Sequence, residues 1–118
     1  MLKNKGREMQ IQLRNICVPV DFSETSVAAL NYAKALADAF GAQLHLLHVL
    51  VNWIPDGDFP VSPQVYVELE ISARKQLQNQ LTAEEQQKYQ AKLELVSGTS
   101  EFLEIVRYAR DKNIDLLV

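Results

Sequence analysis

Ile16-Cys17-Val18-Pro19-Val20-Asp21-Phe22-Ser23-Glu24 is the stretch that decides the fold class. Its first five residues are apolar, rich in β-branched side chains, and stop abruptly at Asp21, as suits a strand buried on both faces of a parallel sheet. A helix is predicted to follow at once. Ser23 is placed to cap it, Glu24 suits the positive end of its dipole, and Ala29, Leu30, Ala33, Leu36, Ala37 and Phe40 recur at helical spacing. Gly41 ends the helix as a C-cap. Gln43 to Leu50 is a second nearly continuous apolar run, read as another interior strand, which completes one βαβ unit.

Outward from that unit the chain alternates in the same way. Residues 51–63 hold Pro55, Pro60 and Pro63 with Asp56, Gly57 and Asp58, a loop too long for a tight connection. Gln64 to about Leu81 reads as a helix with Val67, Ile71 and Leu77 as its apolar residues, and Thr82-Ala83-Glu84-Glu85 offers a capping box for a short extra turn. Lys92-Leu93-Glu94-Leu95 alternates polar with apolar, which predicts a third strand at a sheet edge. Gly98 breaks it, and Thr99 or Ser100 caps a last helix with an expected buried stripe of Phe102, Ile105, Val106 and Ala109. Ile114 to Val118 begins a fourth strand. The order β-α-β-α-β-α-β with right-handed crossovers predicts an α/β fold built on a doubly wound, mostly parallel sheet.

Composition agrees with one globular domain: 118 residues, 47% hydrophobic and 23% charged, enough chain to bury roughly two thirds of its unfolded surface without a disulfide or structural metal. Cys17 has no second cysteine to pair with, which points to a reduced, cytoplasmic setting. No membrane segment is expected, because the most apolar stretch, Leu44 to Val51, is short and carries His45 and His48. A net charge of −3 disfavours a nucleic-acid binder that relies on phosphate neutralisation. The basic residues Lys3, Lys5, Arg7 and Arg14 gather in residues 1–14, read as a flexible leader without a secretion signal, ahead of a domain over 15–118.

Most enzyme signatures are missing. The sequence has no G-x-S-x-G, no H-E-x-x-H, no C-x-x-C and no Walker A loop, and its four glycines cannot form a dinucleotide cradle. Asp21 stands at the carboxyl end of the first strand, where open α/β sheets bind ligands and where a carboxylate accepts from ribose hydroxyls. The competing reading is an Asx turn with Ser23 that only shapes the helix start. Asp56 and Asp58 could pair on a metal, but a turn rich in Pro and Gly recruits Asp for backbone reasons, so no metal site is expected. His45 and His48, three apart in a strand, point to opposite faces. Cys17 reads as a small buried hydrophobe, and Trp53 and Tyr66 as packing aromatics before stacking partners for a base.

Three ordered segments resemble the universal stress protein family: Ile16 to Glu24, Gly41 to Val49, and Gly98 through Ile105 and Ala109 into Asn113-Ile114-Asp115-Leu116-Leu117-Val118. The resemblance spans about residues 15–118. It implies a nucleotide-binding α/β fold of the HUP type with sheet order 3-2-1-4-5, of which the fifth strand and last helix lie outside this chain. It also implies ATP or AMP as ligand, with Pro19 and Val20 lining the pocket, Asp21 on the ribose and Val49 against adenine.

In nucleotide-binding members a G-x2-G-x9-G-[ST] motif after the fourth strand cradles the phosphates. This sequence ends at Val118 before such a motif, so the expectation is weak ATP binding or none. What the resemblance implies overall is a small, non-enzymatic regulatory module of the stress response, cytoplasmic and homo-oligomeric. The alternative is a protein-interaction module of the same fold that binds no nucleotide.

Overall fold

The computed structural model describes residues 12–51 and 62–118. Eight elements follow one another: β1 (Asn15–Pro19), α1 (Glu24–Phe40), β2 (Gln43–Val51), α2 (Pro63–Gln78), α3 (Ala83–Lys88), β3 (Lys92–Gly98), α4 (Glu101–Asp111) and β4 (Leu116–Leu117). The four strands form one sheet in the order β3-β2-β1-β4, and every pairing is parallel. This is the α/β architecture expected from the alternation of strand and helix patterns, with β3 at an edge as its polar-apolar pattern predicts.

Local chemistry sets the element ends. Ser23 caps α1 by accepting the Ser26 N–H at 3.1 Å, and Gly41 closes the helix in the left-handed region at φ 65, where a Cβ would be strained. Ser62 caps α2, and Pro63 sits at a helix start, where its missing N–H costs nothing. Thr82 and Glu85 make the full capping box of α3, at 3.1 and 3.0 Å. Of the two candidates for α4, Ser100 is the cap, accepting from Leu103 N–H.

The sheet separates two apolar layers by residue parity. On one face Ile16, Val18, Val20, Leu44 and Leu46 pack against Leu30, Ala33 and Ala37 of α1, with Leu77, Leu81 and Tyr89 closing that core. On the other, Cys17, Leu47 and Val49 meet Tyr108 of α4, with Ile105, Val96 and Ile114 around them. Asp115 ties the start of β1 to β4: its carboxylate accepts the N–H groups of Arg14 at 2.8 Å and Asn15 at 3.0 Å. Those bonds hold its pKa below the usual carboxylate value.

Four details differ from the sequence reading. Tyr108 is the buried residue of α4, whereas Phe102 and Val106 are 71% and 43% exposed, because the helix turns Tyr108 and Ile105 to the sheet and leaves the adjacent flank open. On α2, Ala73 and Leu77 face the core, while Val67 and Ile71 face outward. Phe40, at the last turn of α1, is likewise exposed. Strand β4 is shorter than Ile114 to Val118, although the Asp115 and Val118 N–H groups extend its pairing to Asn15 and Cys17.

Candidate functional site

The ends of β1 and β2 open into a cavity of 210 Å³. Pro19, Val20 and Asp21 reach it from β1, and Leu47 and Val49 from β2. All four residues singled out from the sequence, Pro19, Val20, Asp21 and Val49, therefore border one space. Two hydrogen bonds tie the strand ends together here: Val20 N–H donates to Leu47 O at 2.8 Å and the His48 side chain donates from Nδ1 to Val20 O at 2.6 Å. Phe22 then takes φ 69, an unusual value for a bulky side chain, and stacks on the His48 ring at 4.5 Å.

That turn presents Asp21. Its Oδ1 accepts from the Ser23 N–H at 3.0 Å and from the Ser23 hydroxyl at 2.5 Å, while its own N–H donates to Ser26 Oγ at 3.3 Å. The Asx turn foreseen as the competing reading is present, and both bonds fall on one carboxylate oxygen. Ser23's hydroxyl, then its N–H, hold the Asp21 pKa below the usual carboxylate value, so the group is ionised at neutral pH. The carboxylate is exposed at the cavity rim.

Sequence reading missed part of the lining. Thr25, Ser26 and Ala29 come from the first turns of α1, Glu101 and Ile105 from α4, and Val118 from the end of β4. Small residues at Ser26 and Ala29, spaced three apart on one helix face, are the signal that could have marked α1 as a wall.

The other sequence candidates lie elsewhere. His45 is buried between Tyr108 Oη (2.8 Å) and Asn15 Oδ1 (3.0 Å), and His48 sits on the opposite face with Phe22, as the strand period requires. Cys17 is fully buried, and burial pushes its thiol up to about 12, so it remains protonated. Tyr66 hydrogen-bonds Ser97 of β3. Trp53, Asp56 and Asp58 lie outside the described residues. Among the described residues no cluster of three His, Cys, Asp or Glu is placed to hold a metal ion, and no helix is long and apolar enough to cross a membrane.

The family model described as the universal stress protein family matches residues 12–118. The chain belongs to the universal stress protein family. Its fold is similar to a universal stress protein family member from Burkholderia pseudomallei, at 23% identity and TM-score 0.70 over 89% of this chain and 79% of that one. It is also similar to the hypothetical protein MJ0577, at 25% identity and TM-score 0.73 over 92% and 74%. A third similar structure is a universal stress protein in complex with cAMP, at 19% identity and TM-score 0.56 over 91% and 71%. No curated protein matches the sequence significantly. The parallel sheet order 3-2-1-4 of this universal stress protein domain is the one the resemblance implied for its first four strands.

Proposed function

We propose that this chain is a small regulatory module of the stress response that binds an adenine nucleotide, ATP or AMP, through the adenosine half. The observation that carries the reading is the cavity where β1 and β2 end, walled by Val20, Leu47 and Val49 and edged by an ionised Asp21. Carboxyl ends of strands are where open α/β sheets take ligands, and the free capacity of Asp21 suits two ribose hydroxyls. At 210 Å³ the space falls short of the roughly 300–1,000 Å³ of ordinary small-molecule pockets, which fits a ligand held by only part of its length. A related universal stress protein solved with cAMP supports an adenine compound as the ligand class. The role is binding rather than catalysis, in the cytoplasm, with self-association of the chain.

Isothermal titration of adenosine, AMP and ATP tests this. The expected result is saturable binding that Asp21→Ala weakens about tenfold or more, the scale of one lost charged hydrogen-bond partner. Absence of heat with every adenine compound would refute it and leave the protein-interaction reading, which the exposed Phe102, Leu103 and Val106 of α4 favour.

A further inference from the structure

Asp21 depends on its neighbours for where it points. Among the described residues its hydrogen bonds run only to Ser23 and Ser26, inside its own turn, and its carboxylate is exposed. The two residues that flank it are both held by one side chain from the next strand. Pairing of β1 with β2 ends where Pro19 faces Leu47. One residue on, the Val20 carbonyl accepts from His48 Nδ1 at 2.6 Å. Beyond Asp21, the Phe22 ring lies 4.5 Å from the His48 ring at an interplanar angle of 30°. Phe22 holds φ 69, a left-handed backbone that is unfavourable for a bulky residue and persists only where its surroundings enforce it. His48 can enforce it because it is half-buried on β2, a strand paired with β1 on one side and β3 on the other. Neither His48 nor Phe22 is among the described residues that line the cavity.

We infer that His48 is a positioning residue for the strand-end site: through its bond to the Val20 carbonyl it holds the turn over residues 20–23 in the conformation that aims the Asp21 carboxylate at the cavity, without touching a ligand there. A carbonyl oxygen only accepts, so Nδ1 carries the proton. With the Val20 peptide released, Phe22 can leave the left-handed region, which rotates the peptides on both sides of Asp21 and parts its Oδ1 from the Ser23 N–H. The conformational part of the inference stands on this geometry, and its consequence for affinity rests on the adenosine reading above. Two substitutions separate the contacts of His48. Phenylalanine keeps the stack on Phe22 and removes the donor, whereas asparagine puts an N–H close to the place of Nδ1 and removes the ring.

The test compares the wild-type chain with His48→Phe and His48→Asn, each confirmed as folded by circular dichroism. The ligand-free readout is the Ser23 amide in heteronuclear NMR spectra at neutral pH, because that N–H donates to the ionised Asp21 carboxylate at 3.0 Å and a charged acceptor draws the amide proton downfield. His48→Phe should abolish the downfield position, and His48→Asn should retain most of it. The Arg14 and Asn15 amides, bonded in the same way to Asp115 at the other end of the sheet, should stay in place in both variants, which separates loss of this turn from a general loosening. In calorimetry His48→Phe should weaken adenosine binding by up to the roughly tenfold of Asp21→Ala. Combined with Asp21→Ala it should add nothing further, since it acts through that carboxylate. An unchanged Ser23 amide in folded His48→Phe, a His48→Asn chain that loses the signal as fully as His48→Phe, or full additivity with Asp21→Ala would overturn the inference. Should the variants not fold, the wild type decides: at a pH where the imidazole is neutral, His48 must be the Nδ1–H tautomer, and a proton found on Nε2 instead overturns the inference. A folded wild type that binds no adenine compound overturns the adenosine reading alone, since the amide and tautomer results decide the positioning without a ligand.

Discussion

Replacing Tyr108 by Phe removes one oxygen from the interior and leaves its neighbour in place. Tyr108 and His45 are both buried, 7% and 5% exposed, and Tyr108 Oη lies 2.8 Å from His45 Nδ1. The other ring nitrogen, Nε2, is 3.0 Å from Asn15 Oδ1. An amide oxygen only accepts, so Nε2 carries the proton and Nδ1 accepts from the tyrosine. Tyr108→Phe keeps the ring and its edge contact with His45, opens little space, and strands Nδ1 without a donor. Leaving a buried acceptor unsatisfied costs about 1–3 kcal/mol, and urea denaturation at neutral pH measures it.

The same cluster predicts a pH dependence. Burial first, and then Lys92 and Lys112, hold the His45 pKa below its usual 6.5, with Glu94 opposing. The unfolded chain therefore binds the imidazole proton more readily than the folded one. Stability is full above about pH 6.5 and is lost as pH falls towards the lower folded value, at no more than about 1.4 kcal/mol per pH unit for one proton. Asp21, Glu85 and Asp115, whose pKa values are also lowered, act at more acidic pH because their unfolded values lie near 4. His45→Gln should flatten the slope between about pH 5.5 and 7. A Tyr108→Phe change within about 0.5 kcal/mol of wild type, or a wild-type curve without slope in that window, would refute the buried-network account.

Two further substitutions probe packing and association. At Gly98 an added Cβ would lie 2.5 Å from Glu104 Cγ, and Glu104 is paired with Arg107 at 3.2 Å. Gly98→Ala should therefore lower stability by about 1–3 kcal/mol, read from the denaturation midpoint, and an unchanged midpoint would mean that Glu104 swings away freely. Leu117 is 43% exposed on β4, whose only described pairing is with β1. The chain should self-associate there, and Leu117→Glu should reduce this in sedimentation more than Lys75→Glu on α2 does.

The fold was largely legible because its signals are local. A strand buried on both faces needs a near-continuous apolar run, which Ile16 to Val20 has outright and Leu44 to Val49 has apart from His45 and His48. Helix caps announce themselves by residue type, as at Ser23, Gly41 and Thr82. What failed was the rotation of α2 and α4 about their axes. Val67, Ile71, Phe102 and Val106 are apolar at helical spacing, yet each of these helices carries more apolar residues than the sheet can cover, and period alone does not say which stripe turns inward. Tyr108 won the inward position on α4 through its hydrogen bond to His45, a pairing across 63 residues of sequence.

The site was half legible for the same reason. Asp21 is readable from where the first strand stops and Pro19, Val20 and Val49 follow from the family resemblance, whereas Glu101 and Ile105 enter the cavity only because α4 crosses back over the sheet. Tyr108 follows Ile105 by one helical turn and Glu101 by two, and these positions share a face. The anchor that Tyr108 makes to His45 therefore also seats the α4 wall of the cavity. Tyr108→Phe should for that reason lose adenosine affinity together with core stability, while Asp21→Ala loses affinity through the ligand contact and stability only through its two bonds to Ser23 in the turn. A destabilised Tyr108→Phe chain that binds adenosine as tightly as wild type would show that the strand ends and α1 alone hold the ligand.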